Sequence, residues 1–172
     1  MSKPASLSQR PGGLSFTAAV LIATLIVGIL DALGASINFW IGGGEHSARI
    51  WRFVASGVFG KPALTGGTDM VVYGLLFHFL IAFGCTVVFF LLFRRLPVMG
   101  RHPYATAIVY ALIVWAVTNE VIVPLSNTPK GHFNLSHALI NAGILVLTIG
   151  LPLSLLARLW IRPVGVAGRV AF

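Results

Sequence analysis

Four apolar stretches dominate the chain, at about residues 14–40, 70–93, 104–125 and 137–159. Each is long enough to cross about 30 Å of hydrocarbon at a helical rise of about 1.5 Å per residue. Polar or basic tails flank them, residues 1–13 with Lys3 and Arg10, and residues 161–172 with Arg162 and Arg169. The pattern predicts an all-α integral membrane protein, with one four-helix transmembrane bundle over residues 14–160. The first stretch follows a basic tail as a signal peptide would. Its apolar run exceeds the about 7–15 residues of a signal-peptide core, so an uncleaved first helix is expected. Pro152 predicts a kink late in the fourth stretch.

The loop between the first two spans has a pattern of its own. In residues 46–60, Ile50, Trp51, Phe53, Val54, Val58 and Phe59 are interleaved with Arg49, Arg52 and Ser56. This spacing suits an amphipathic helix, on the outer leaflet or tucked against the bundle mouth, with Arg49, Trp51, Arg52 and Phe53 as its interfacial residues. A re-entrant hairpin would carry both arginines into hydrocarbon, which disfavours it. Lys61-Pro62 and Gly66-Gly67 then break the chain, and the third loop, Pro124 to His132, is short and turn-rich. No internal repeat is evident, and no inverted pair of interrupted helices of the transporter kind.

Composition agrees with a lipid solvent. Residues are 57% hydrophobic and only 9% charged, against about a quarter charged in soluble domains. The net charge of +8 would suggest nucleic acid in a soluble protein, but here the basic residues flank apolar spans, so no nucleic-acid partner is expected. Eight Lys and Arg residues fall on the two tails and second loop, against four on the first and third loops. The positive-inside rule then places both termini in the cytoplasm, and the expected location is a bacterial inner membrane. Trp40, Tyr73, Tyr104 and Trp160 fall near span ends, where interfacial aromatics belong. Cys85 is the single cysteine, so neither an intrachain disulfide nor a cysteine-rich metal site can form.

Six polar residues interrupt the spans: Asp31, His78, Asn119, Glu120, His137 and Asn141. With both termini inside, all six fall in the outer half, and Leu91, Leu92, Ile108, Val109, Leu147 and Leu151 make the inner half apolar. Ionisable groups in lipid cost several kcal/mol unless paired or wetted, so these positions are the natural place for function. They fit an outward-open polar pocket roofed by the amphipathic loop, with Asp31 and His78 as a candidate proton-responsive pair. They fit a packing lock better, in which polar groups satisfy one another and fix helix register. Gly28 and Ala32 form a small-xxx-small pair that suits close helix contact.

Other chemistries find less support. Haem ligation needs two imidazoles at equal depth, whereas His78 is deep and His137 superficial. A zinc site lacks any short-spaced ligand pair. Ser126 near His132 and His137 carries no nucleophile-elbow motif. No catalytic residue, metal or cofactor is therefore expected.

Several short strings, read in order, resemble a family of uncharacterised bacterial four-helix inner-membrane proteins. They are GILD (28–31), ASGVFG (55–60), GG (66–67), GLLFH (74–78) through Ala82, and RLP (95–97), then VPLS (123–126), His137 and GLP (150–152). The likeness spans about residues 20–158. It departs at Thr118-Asn119-Glu120, where the family pattern has methionine before the asparagine and no acid after it. The resemblance implies the four-helix topology, and the family has no assigned activity. The expected role is a non-enzymatic accessory or scaffold subunit, or a homo-oligomer, with the bilayer and other subunits or itself as partners. The alternative is a proton-linked small-solute transporter or sensor built on the outer-half polar cluster.

Overall fold

A computed structural model of the protein describes residues 14–129 and 134–161. Outside it lie the tail residues with Lys3, Arg10, Arg162 and Arg169, and the part of the third loop holding Lys130 and His132. The described chain is entirely helical: α1 (Phe16–Ile41), α2 (Ala48–Phe59), α3 (Thr68–Arg95), α4 (Pro97–Arg101), α5 (Pro103–Leu125) and α6 (Leu135–Trp160). Helices α1, α3, α5 and α6 are each long and apolar enough to cross a membrane. Their bounds fall within two residues of the spans read from the sequence.

Local chemistry sets the helix ends. The Ser15 hydroxyl accepts from the Ala18 N–H at 3.1 Å, capping α1, and the Asn134 side chain accepts from the His137 N–H at 3.1 Å, capping α6. Helix α3 carries Asp69 in its first turn and Arg94 and Arg95 in its last, complementing its dipole. Pro152, expected to disturb its span, does so through a widened turn, and Pro124 has the same effect. A π-helical segment, Val117–Ile122, precedes Pro124, and a second, Val146–Gly150, precedes Pro152. Proline lacks an N–H and its ring crowds the carbonyl four residues back, which is Glu120 or Thr148. Spreading the turn relieves both problems, so the kink expected at Pro152 takes the form of a π turn.

The four long helices close into a ring. Helix α1 packs against α3 and α6, α5 packs against α6, and the Phe89 ring of α3 meets Tyr110 of α5 edge-on at 4.7 Å. Gly28 sits against the Phe79 ring, realising the close contact expected of it. The core gathers at the end away from α2, around Phe89, Phe90, Phe93, Tyr110 and Leu153. Buried hydroxyls lie there too. Tyr110 donates to the Cys85 carbonyl at 2.6 Å, Ser154 to Pro103 at 2.8 Å and Thr86 to Ala82 at 2.8 Å. Of the residues read as an apolar inner half, Leu91, Leu92, Ile108, Val109 and Leu147 are exposed on the bundle surface. Hydrocarbon outside and core inside are equally apolar, so hydrophobicity alone does not assign the face.

Helix α2 is docked against the bundle. Ala55 and Ser56 are fully buried, Trp51 and Arg52 are half-buried, and Arg49 and Phe53 are exposed. Its backbone touches α3 at Gly74, where any Cβ would overlap the Trp51 carbonyl. Its far end is held by Asn127, whose backbone N–H donates to the Gly57 carbonyl at 3.0 Å and whose Nδ2 donates to Val58 at 3.0 Å. A Gly74→Ala substitution should therefore lift α2 from α3 and cost about 1–3 kcal/mol. Gly84→Ala, where a Cβ meets open space, serves as the neutral control. Reversible unfolding of both variants in mixed micelles measures the difference.

Candidate functional site

Two pairs of polar residues form a seam between α1 and α6. Asp31 and Asn38 are seven residues apart on α1, and Asn141 and Thr148 are seven apart on α6, so each pair shares a helix face two turns apart. The helices run antiparallel, which brings the pairs into register. The Thr148 hydroxyl lies 2.8 Å from Asp31 Oδ1, and Asn38 Nδ2 donates to Asn141 Oδ1 at 3.3 Å. Gly34 lies between them on α1, where a Cβ would meet the Ile144 and Thr148 methyl groups at 2.9 Å. Missing side-chain bulk there allows the close approach that the seam requires.

Thr148 has one hydroxyl proton and two acceptors, Asp31 and the Ile144 carbonyl 2.9 Å away. With Asp31 ionised, the proton serves the carboxylate. With Asp31 protonated, the acid can donate to the Thr148 oxygen, whose own proton turns to Ile144. The same geometry thus accommodates either state of the carboxyl group.

Helix α3 brings His78 to the seam. Its Nε2 lies 2.9 Å from the Gly28 carbonyl. A carbonyl oxygen only accepts, so Nε2 carries the proton in this contact. The ring is held edge-on against Trp51 of α2 at 5.3 Å and Phe79 at 5.4 Å. Helix α5 contributes Asn119, whose Nδ2 donates to the Trp115 carbonyl at 2.8 Å, one turn back.

Four of these polar side chains line one cavity of about 260 Å³. Asp31, His78, Asn119 and Asn141 reach it from the four long helices, and Val54 of α2 covers part of it. Asp31 and His78 each lie ten residues from the α2-side end of their helix, about 15 Å along the axis. Asn119 and Asn141 lie six residues in, about 9 Å. The wall is therefore layered, with amides above and the ionisable pair below.

Two of the six polar residues singled out in the sequence do not join the wall. Glu120 follows Asn119 around the helix and is exposed on the bundle surface. His137, in the first turn of α6, is exposed and lies a turn nearer the end than Asn141, the outermost α6 wall residue. Sequence reasoning also passed over Thr148, Asn38 and Trp115. The seven-residue spacings from Asp31 to Asn38 and from Asn141 to Thr148 were the available signal for the first two. Cys85 lies on the wall with its thiol free. Among the described residues, no three His, Cys, Asp or Glu side chains gather as a metal-ligand set.

No protein-family model, no curated protein and no solved structure matches this chain. The seam itself is open to direct measurement. Thr148→Val and Asp31→Asn should each destabilise the bundle, with a coupling of about 0.5–1.5 kcal/mol in a double-mutant cycle. Asn38→Ala with Asn141→Ala should couple more weakly, since the longer bond lies nearer the helix ends.

Proposed function

We propose that the protein is a non-enzymatic multi-pass membrane protein that binds a small polar solute in this cavity, as a proton-linked sensor or carrier. One observation supports the reading above others: four separate helices each place a polar side chain on the same wall. A packing lock needs only pairwise contacts, and the α1–α6 seam already provides them. His78 and Asn119 are not needed for that seam, yet both reach the cavity. Asp31 and His78 line the same wall at equal depth, and Cys85 is the other titratable wall residue. Proton and solute would share the Asp31 carboxylate, so their binding would be linked.

Orientation follows from the charge bias: eight basic residues flank the tail end and four the α2 end, which favours N-in, C-in. The cavity would then open to the outer face of a bacterial inner membrane. Phe89, Phe90, Phe93 and Tyr110 fill the bundle beneath it, so passage across the membrane would require rearrangement of that layer. Sensing or binding therefore fits more readily than continuous conduction.

The reading as an accessory subunit or homo-oligomer keeps one specific support. Glu120 is exposed on a spanning helix, inside a π turn, where a carboxylate gains most from a partner on another chain. Capture of a stoichiometric partner from native membranes in mild detergent, lost on Glu120→Gln, would favour that role.

Cys85 supplies a built-in probe of the pocket. In oriented vesicles, a small membrane-impermeant methanethiosulfonate should label it from the α2 face only, and Asn141→Trp should block the reaction. Labelling from the opposite face, or a thiol equally inert from both, would count against a wet pocket open at that end.

A further inference from the structure

Charge on the cavity wall is divided unevenly, with one carboxylate, Asp31, and no Lys or Arg. His78 gives its Nε2 proton to the Gly28 carbonyl, so the neutral ring keeps a lone pair at Nδ1. Asn119 must use its Nδ2 to reach the Trp115 carbonyl, because a carbonyl cannot donate; its Oδ1 makes no hydrogen bond among the described residues. Asp31 has one hydrogen bond, from Thr148 to Oδ1, leaving Oδ2 without one among the described residues. The Thr148 proton is already shared between Asp31 and Ile144. The wall's donors are all neutral: both Nδ2 protons of Asn141, whose Oδ1 accepts from Asn38, the second Nδ2 proton of Asn119, the Thr118 hydroxyl and the Trp115 indole N–H. Three acceptors from three helices, one of them a carboxylate, thus stand on a wall whose donors carry no charge.

The remaining wall has a matching character. Trp115 supplies an aromatic surface, which attracts cations, and Val114, Ile144 and Leu145 supply apolar contact. No Lys or Arg lies on the wall, so an anion would meet a carboxylate and no counter-charge. At about 260 Å³ the cavity falls just below the range of about 300–1,000 Å³ usual for drug-sized ligands.

We infer that the ligand is a small primary ammonium compound, its N–H groups shared among Asp31, His78 Nδ1 and Asn119 Oδ1 and its short alkyl part set against Ile144 and Leu145. This assignment rests on the cavity being a binding site. A primary ammonium offers three donors and one positive charge, the complement of these three acceptors. Binding also supplies the cation that an intramembrane carboxylate otherwise lacks.

The test uses the full-length protein in nanodiscs of zwitterionic lipid, with n-propylammonium, propionate and 1-propanol as probes in saturation-transfer NMR and calorimetry. Propylammonium should bind, and the other two should not. Asp31→Asn should weaken it by about tenfold or more, the loss expected for a charge-assisted hydrogen bond. Asn119→Leu, which leaves the α1–α6 seam intact, should weaken it several-fold, and Glu120→Gln, on the bundle surface away from the wall, should retain it. Preference for propionate or 1-propanol, or propylammonium binding unaffected by Asp31→Asn and Asn119→Leu, would overturn the assignment. Absence of propylammonium binding would overturn it too. If Cys85 is then still labelled from the α2 face, the pocket stands without its amine. If Cys85 is inert as well, the binding reading falls with it.

Discussion

The hydrogen bond between Thr148 and Asp31 ties the only carboxylate on the cavity wall to the helix opposite. In water such a contact would contribute little. Between two apolar helices it fixes their relative position, because a carboxyl group cannot be left facing hydrocarbon. The Asn38–Asn141 contact repeats the arrangement two turns away, and Gly34 lets the backbones approach between them. A one-residue slip of either helix would rotate its polar pair by about 100° and break both contacts together. The remaining polar groups inherit their places from that register: His78 docks on the α1 backbone, and Asn119 completes the wall from α5.

The two π turns stand in the helices that carry half of this wall. Val117–Ile122 contains Asn119, and Val146–Gly150 contains Thr148. Each is forced by a proline a few residues on, and each leaves carbonyls less tightly held than in a regular helix. Nearby side chains respond to that loosened backbone: Asn119 donates to Trp115 and Thr148 lies against Ile144. Backbone distortion thus coincides with one wall residue, Asn119, and one seam residue, Thr148.

Much of this is legible in the amino-acid sequence. Run length identified the four long helices, and the interleaving of Trp51 and Val54 with Arg49 and Arg52 marked α2 as amphipathic. Depth was legible as well, since it follows from counting residues, and Asp31, His78, Asn119 and Asn141 do meet at one end of the bundle. Azimuth was not. Glu120 and His137 have suitable depths but the wrong directions, and Leu147 faces outward while Phe89 is wholly buried. In a soluble protein, polarity would distinguish those faces; in lipid both solvents are apolar, and packing complementarity decides. Thr148 escaped notice because a single threonine in an apolar run commonly bonds to its own backbone.

The Phe89–Phe90–Phe93–Tyr110 layer has an electrical consequence. Water in the cavity would extend the aqueous phase inward on one side, so the dielectric barrier would shrink to that aromatic layer. A transmembrane voltage concentrates across whatever insulator remains, at about 2.3 kcal/mol per elementary charge per 100 mV for the full drop. A cation settling beside Asp31 would traverse only a small part of the field, whereas one moving past Phe89 would traverse most of it. Occupancy of the site would then respond weakly to membrane potential and any onward step strongly, so the bundle separates a chemical event from an electrical one by the thickness of a few rings.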